Sequence, residues 1–266
     1  MNMHFKQLQR GFTLVEMAMV LVIFGLLLAA LLVSLQAQRN LALQAETNNT
    51  LSEAKKALLG FAQSQGRLPC PATNNGTAVF PDDTGNASPN ASGICTQQVG
   101  FLPAATLGIQ PTDAQGFALD GWNNRIRYAV NQADNAGGAN ADFTTTDGMA
   151  NVGIANLQPN LRVCASWTAA VTTTRCSGGA ETNFLINNAV VVIYSTGATA
   201  AVGSAGKADE TENLNADISA PPNQIDTVFV SHEARQNDAN GECDHLVTWI
   251  SPFELYNAMI QAGQLH

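Results

Sequence analysis

Glu16 is the most conspicuous chemical group in the chain, because it stands among apolar neighbours. Phe12, Leu14 and Val15 precede it, and Met17–Leu35 follows with 19 residues and no charge. An ionisable group in such a run costs about 2.5–3.5 kcal/mol on insertion scales, which marks a functional residue by default. A carboxylate that merely reaches an interface is the plainer alternative, and position alone does not choose between the two. Five cysteines, Cys70, Cys95, Cys164, Cys176 and Cys243, all follow residue 65. The shortest loops join Cys70 to Cys95 and Cys164 to Cys176, leaving Cys243 over. Spacing does not fix the connectivity, and Cys95 with Cys243 is another pairing. A closed loop of that size contributes about 3 kcal/mol. Acidic residues gather at Asp209/Glu210/Glu212/Asp217 and at Asp238/Glu242/Asp244. Cys243-Asp244-His245 sets two ligand types close together with His232-Glu233 upstream, yet no C-x-x-C or H-E-x-x-H spacing is present. Ser231-His232-Glu233 places a nucleophile beside a base, but neighbouring strand residues point to opposite faces. The chain has no G-x-S-x-G elbow and no P-loop, so its residues do not read as those of an enzyme.

The elements that position these groups begin with a long helix. The run Met17–Leu35 covers about 28 Å, close to a bilayer's hydrocarbon core. A secretory signal has a shorter apolar region and a small-residue cut. Here the run continues as helical sequence to about Gln65. No proline interrupts residues 12 to 68, and Leu51, Ala54, Leu58 and Phe61 form an apolar stripe. Glu53 and Lys56 stand three residues apart on it. Lys6 and Arg10 precede the span, which predicts a cytoplasmic N-terminus and a periplasmic remainder. That compartment is oxidising, which suits disulfides.

The leader MNMHFKQLQRG, ending at Gly11, with the Phe12-Thr13-Leu14-Val15-Glu16 that follows, resembles the class III signal of type IV prepilins and type II secretion pseudopilins. The resemblance implies cleavage between Gly11 and Phe12 by a prepilin peptidase, and N-methylation of Phe12. It places Glu16 at the family's glutamate, where a neighbouring subunit's amine would pair with it during filament assembly. Gly25 matches a glycine often found in such helices, while Val33 stands where many members carry proline. Asp120-Gly121-Trp122-Asn123-Asn124-Arg125-Ile126-Arg127-Tyr128 resembles a pseudopilin stretch that enters the first strand, with Asn123 in place of glycine. Gly66–Pro71 and Gly100–Gly108 look like segments of larger pilin-like subunits. Some pseudopilins bind calcium through acidic loops near the C-terminus. The resemblance thus points to Asp238, Glu242 and Asp244 as calcium ligands, against the simpler reading of a solvated acidic surface.

After residue 66 the chain turns rich in Asn, Ala, Thr, Gly and Asp. Strands are predicted at Arg125–Val130, Leu161–Trp167, Ala189–Ser195, Ile225–Ser231 and His245–Ile250, with AVVVIYS as a central strand. Ser251-Pro252-Phe253-Glu254 predicts a capped helix with Leu255, Met259 and Ile260 on its apolar face. The reading is α+β: a long N-terminal helix, transmembrane and then amphipathic, packed on a C-terminal antiparallel sheet in the manner of pilins. Residues 1–11 form a cleaved leader, 12–35 the transmembrane half, 36–65 the amphipathic half and 66–266 the globular head. The chain of 266 residues is 12% charged with net charge −9. All of the acidic excess lies on the head, with 18 acidic and 7 basic residues. That balance argues against a nucleic-acid partner. The expected function is a structural subunit, a minor pilin or pseudopilin in the inner membrane and then in a filament. Its partners would be other pilins, the prepilin peptidase and an inner-membrane assembly platform. A tip-located adhesin or assembly initiator is the alternative.

Overall fold

The computed structural model describes residues 11, 13–73, 84–89, 94–135, 141–165, 176, 183–200, 208–215, 227–233 and 243–266, without the side chains of 29–37, 208 and 215. The chain forms two compact units, Met1–Gln44 and Ala45–His266. Helix α1 (Leu14–Gln65) contributes to both. In the first unit its large apolar side chains are exposed, from Leu14 at 88% to Leu28 at 50%. Among the described residues no helix is long and apolar enough to cross a membrane. The apolar run Met17–Leu35 is described with its side chains only as far as Leu28, and its remainder lies outside.

The second unit is organised around β5 (Val191–Ser195), every residue of which is buried. It lies between β2 (Arg127–Val130) and β7 (Leu246–Ile250), and β1 (Val99–Phe101) completes an antiparallel sheet of order β1-β2-β5-β7. The pairing registers include Val192 with Ala129 and Ile193 with Thr248. Side chains alternate across this sheet. Tyr128, Val130, Val191 and Ile193 pack with the α1 stripe Leu51, Ala54, Leu58 and Ala62. Ala129, Val192 and Tyr194 face the other way, onto Leu161, Val163 and Phe229 of a second sheet. That sheet has the order β4-β3-β6, built from β3 (Leu161–Cys164), β4 (Phe184–Ala189) and β6 (Val228–Val230).

The α+β class holds, with an internal correction. A single antiparallel sheet was expected, whereas the described strands form two sheets and β3 pairs with β6 in parallel. Strands β1 and β4 went unpredicted. The first is three residues long and centred on Gly100, where an added Cβ would come within 2.6 Å of the Ala72 carbonyl oxygen. The second reads FLINNA and is largely exposed, so it carries no alternating apolar signal. Ser166, Trp167, Ile225 and Asp226 of the predicted strands lie outside the described residues. The second unit also takes in the helix from Ala45, upstream of the composition change near residue 66, because the helix stripe is part of its core. Phe61 is half-buried with Arg67 against its ring, and Ala62 fills the core position instead. The helix ends at Gly66, whose φ of +67° favours glycine.

Short helices α2 (Ala104–Leu107), α3 (Gly148–Val152) and α4 (Ala208–Asn215) connect the strands. The last helix, α5 (Pro252–Gln261), starts with a complete capping box and buries Leu255 and Met259. Glu254 Oε2 accepts from the Ser251 N–H at 2.9 Å and from its hydroxyl at 3.0 Å. Its Oε1 pairs with Lys55 of α1 at 2.7 Å. Partial burial pushes the Glu254 carboxyl up, but Lys55 and Ser251 together hold it below its ordinary 4.5. A lowered folded value stabilises above the ordinary pKa, and that contribution is lost as pH falls through the folded value. Replacing Lys55 by Ala is therefore expected to lower the urea midpoint at pH 7, and the difference from the parent should shrink as pH falls below 4.5. Ser251→Ala is expected to cost about 1 kcal/mol in the same titration.

Candidate functional site

The N-terminal site is built on the first turn of α1. Thr13 is followed three residues later by Glu16, the spacing of a capping box. The Thr13 N–H and hydroxyl both donate to Glu16 Oε2 at 2.9 Å, and the Glu16 N–H donates to Thr13 Oγ1 at 3.3 Å. The T-x-x-E spacing is the local signal of this cap, and it lies beside the charge that makes Glu16 conspicuous. Gly11 is exposed, and a Cβ added to it would meet nothing within 4 Å. Phe12 lies outside the described residues.

Behind this turn the exposed residues Leu14, Val15, Ala18, Met19, Val22 and Ile23 form one continuous apolar stripe along α1. A surface of this kind marks a site of contact with lipid or protein.

Asp120 organises the Asp120–Tyr128 segment. Its Oδ1 accepts from the N–H groups of Trp122 at 2.9 Å and Asn124 at 2.8 Å, and its Oδ2 accepts from the Ser195 hydroxyl at 2.5 Å. Asn123 has a φ of +66°, and asparagine is the side chain that best tolerates the left-handed region after glycine. Asparagine in place of glycine therefore leaves the turn intact. The adjacent Gly121 N–H donates to the buried Thr47 hydroxyl of α1 at 2.9 Å.

The structure joins Cys70 to Cys95 at 2.05 Å and Cys164 to Cys176 at 2.02 Å, and leaves Cys243 as a buried thiol. Cys243 adjoins a cluster that sequence separation conceals. Glu210 of α4, Asp244 and His245 bring their ligand atoms within 4.8 Å of one another, although 34 residues separate the first two. Glu210 Oε1 accepts the Asp244 N–H at 3.0 Å. Asp244 accepts from the Thr199 N–H at 2.8 Å and from its hydroxyl at 3.1 Å. Asp209 meets His232 Nε2 at 2.7 Å, and His232 Nδ1 donates to the Glu233 carbonyl at 2.7 Å. His232 is thus engaged by a carboxylate of α4 rather than by Ser231. Glu212 is buried on the same helix, while Asp217, Asp238 and Glu242 lie outside the described residues.

Asn213 decides what His245 can do. Its amide clasps Val230, accepting from the N–H at 2.7 Å and donating to the carbonyl at 2.9 Å. The same amide nitrogen therefore donates to His245 Nδ1 at 3.1 Å, and the neutral ring carries its proton on Nε2. A metal-ligating histidine ordinarily donates through its second nitrogen, so this orientation does not favour ligation. The hard oxygens of Glu210 and Asp244 remain, two groups toward the six to eight oxygens that calcium takes.

Residues 6–32 match a family model described as the prokaryotic N-terminal methylation motif. No curated protein and no solved structure matches the chain. The N-terminus is therefore a class III signal, consistent with the type IV pilin and pseudopilin family. The match covers the N-terminus alone, and a motif of this kind implies processing by a prepilin peptidase and assembly with other pilins.

Burial pushes the Cys243 thiol up to about 11, and the carboxylates of Glu210, Asp209 and Asp244 reinforce that shift against the His245 N–H. The thiolate is the reactive form. Folded protein at pH 8 is expected to leave Cys243 unmodified by iodoacetamide, with labelling only after denaturation. Rapid labelling of the folded chain at this position would contradict the arrangement described.

Proposed function

We propose that this chain is a minor pilin or pseudopilin, a structural rather than catalytic subunit of a type IV pilus or type II secretion pseudopilus. It enters the inner membrane as a single-pass precursor with its head in the periplasm. A prepilin peptidase cuts between Gly11 and Phe12, Phe12 is N-methylated, and an inner-membrane platform packs the helix into a fibre. The observation that carries this reading is the methylation motif at residues 6–32, with Glu16 beside the junction. The exposed apolar face of α1 supports it, since that face needs lipid before assembly and neighbouring helices afterwards. A Glu in a dry helical core needs a positive partner. The amine created at Phe12 of a neighbouring subunit supplies one and sets the axial register. The size of the head favours a minor or specialised subunit over the main fibre protein. A tip-located adhesin or assembly initiator is the variant that the long polar loops of the head would serve.

Two substitutions at Glu16 separate its roles. Gln keeps an acceptor oxygen for the capping box and removes the charge, whereas Ala removes both. Both variants are expected to be cleaved, and neither to enter fibres when co-expressed with the parent's assembly system. Mass spectrometry of the mature N-terminus reads the first result and sheared-fibre immunoblots the second. Normal incorporation of Glu16→Gln would overturn the charge pairing. Gly11→Ala is expected to block cleavage, and an intact mature N-terminus in that variant would overturn the processing site.

Calcium remains part of the proposal, with Glu210 and Asp244 as the described ligands and Asp238 and Glu242 as the others named from sequence. Millimolar calcium is expected to raise the melting temperature over an EDTA control, and Asp244→Asn to abolish the rise. Equal melting temperatures would remove calcium from the account.

A further inference from the structure

Within the Ala45–His266 unit, one cavity is lined by cationic donors that the fold does not use. Arg127 opens β2, and its Cα partners are Phe101 on β1 and Tyr194 on β5. Its guanidinium stacks on the Phe101 ring, 4.4 Å from the centroid. Stacking engages the flat face of the group and leaves its five N–H donors, which lie in the plane, available. Among the described residues none of those donors has a hydrogen-bond or carboxylate partner. Arg125 gives the contrast. It stacks 4.1 Å from the Phe117 centroid, its Nε donates to Asp113 Oδ2 at 2.7 Å, and a terminal nitrogen donates to Gln115. Asp113 neutralises Arg125, so Arg127 is left as the net charge of the pair.

Both arginines line a cavity of about 330 Å³ together with Asn123, Thr196 and Leu214. No acidic residue is among its described lining residues, on a head that carries 18 acidic and 7 basic residues. The cavity therefore departs from the charge of its surroundings. Its volume is at the lower end of small-molecule sites, which run about 300–1,000 Å³. Thr196 is buried and supplies a hydroxyl, and Asn123 supplies an amide.

We propose that this cavity binds a sugar acid, with Arg127 gripping its carboxylate and Asn123 and Thr196 meeting the flanking hydroxyls. A planar fork matches a carboxylate with two parallel N–H···O bonds, and Arg127 has that fork unspent. Neutral polar groups beside it suit hydroxyls rather than a second charge. The acidic head repels polyanions at long range, which selects a small monoanion over a phosphate-rich polymer. This assignment does not rest on the filament reading, because it draws only on residues of the head.

Calorimetric titration of the full chain in detergent micelles tests it, with glucuronate as the ligand and glucose and acetate as controls. Glucuronate is expected to bind saturably at one site, glucose at least about tenfold more weakly for want of the charged contact, and acetate about tenfold more weakly for want of the two neutral hydroxyl contacts. Arg127→Gln is expected to lose the same factor or more. Arg127→Lys, which keeps the charge but not the fork, should also weaken binding. Thr196→Val gives an independent check through the loss of one hydroxyl, with a several-fold drop. Melting temperatures equal to the parent's confirm that each variant is folded. Absence of saturable glucuronate binding, equal affinity for glucose or acetate, or unchanged binding in folded Arg127→Gln would each overturn the proposal.

Discussion

The head depends on one constraint, which is that β5 has to be covered on both faces. Val191, Val192, Ile193 and Tyr194 are all at most 1% exposed. Each fully buried aliphatic side chain of this size contributes about 1.5–3 kcal/mol relative to exposure. One layer cannot supply that cover, because strand side chains alternate. The α1 stripe covers Val191 and Ile193, and the three-stranded sheet covers Val192 and Tyr194. The polar tips are satisfied in the same packing. Tyr128 donates to the Pro69 carbonyl and Tyr194 to the Asn213 carbonyl, each at 2.9 Å. Asn213 in turn clasps Val230 and orients His245. The acidic helix α4 is thus anchored through the same residue that finishes the core, and the carboxylate cluster follows from the sheet packing.

This dependence explains which features the sequence displayed. A strand buried on two faces reads as an unbroken apolar run, and AVVVIYS announced itself as central. Ser251 and Glu254 announced α5, because capping chemistry is local in sequence. The cysteine pairs close the shortest loops, which spacing offered as one connectivity among others. The second sheet was not legible. Its strand β4 is an exposed edge with two adjacent asparagines, and its pairing of β3 with β6 in parallel joins segments more than 60 residues apart. The union of Glu210 with Asp244 has no local signal either, since it joins the first turn of α4 to a residue just before β7, 34 positions on. Asn123 shows the reverse case, a departure from a familiar pattern that costs little once its φ is known.

Glu16 and Glu254 show one chemical device used twice. In both, a hydroxyl residue caps a helix and the glutamate three positions on returns a bond to the cap. In both, Oε2 alone receives the capping N–H and hydroxyl. At Glu254 the other oxygen is then free to pair with Lys55 on another helix, at 2.7 Å. The cap holds the carboxylate in a fixed rotamer, so the cation meets an acceptor whose position is already determined. A surface ion pair between two mobile side chains contributes little, partly because both must be ordered. Here half of that ordering is done by the cap.

The same division of oxygens resolves an apparent conflict at Glu16. A carboxylate committed to its own helix start seems a poor partner for a neighbouring subunit. Yet the described bonds engage Oε2 only, and Oε1 takes no part in the cap. Capping and intersubunit pairing therefore do not compete for one atom. The cap also favours a negative charge at the helix start through the exposed N–H groups and the helix dipole. A filament in which each Glu16 accepted a neighbour's amine on Oε1 would keep every capping bond seen here. Under the proposed assembly the local helix signal and the assembly signal are one residue, since glutamine would keep an acceptor for the cap but lose the charge that both the helix dipole and an intersubunit amine favour.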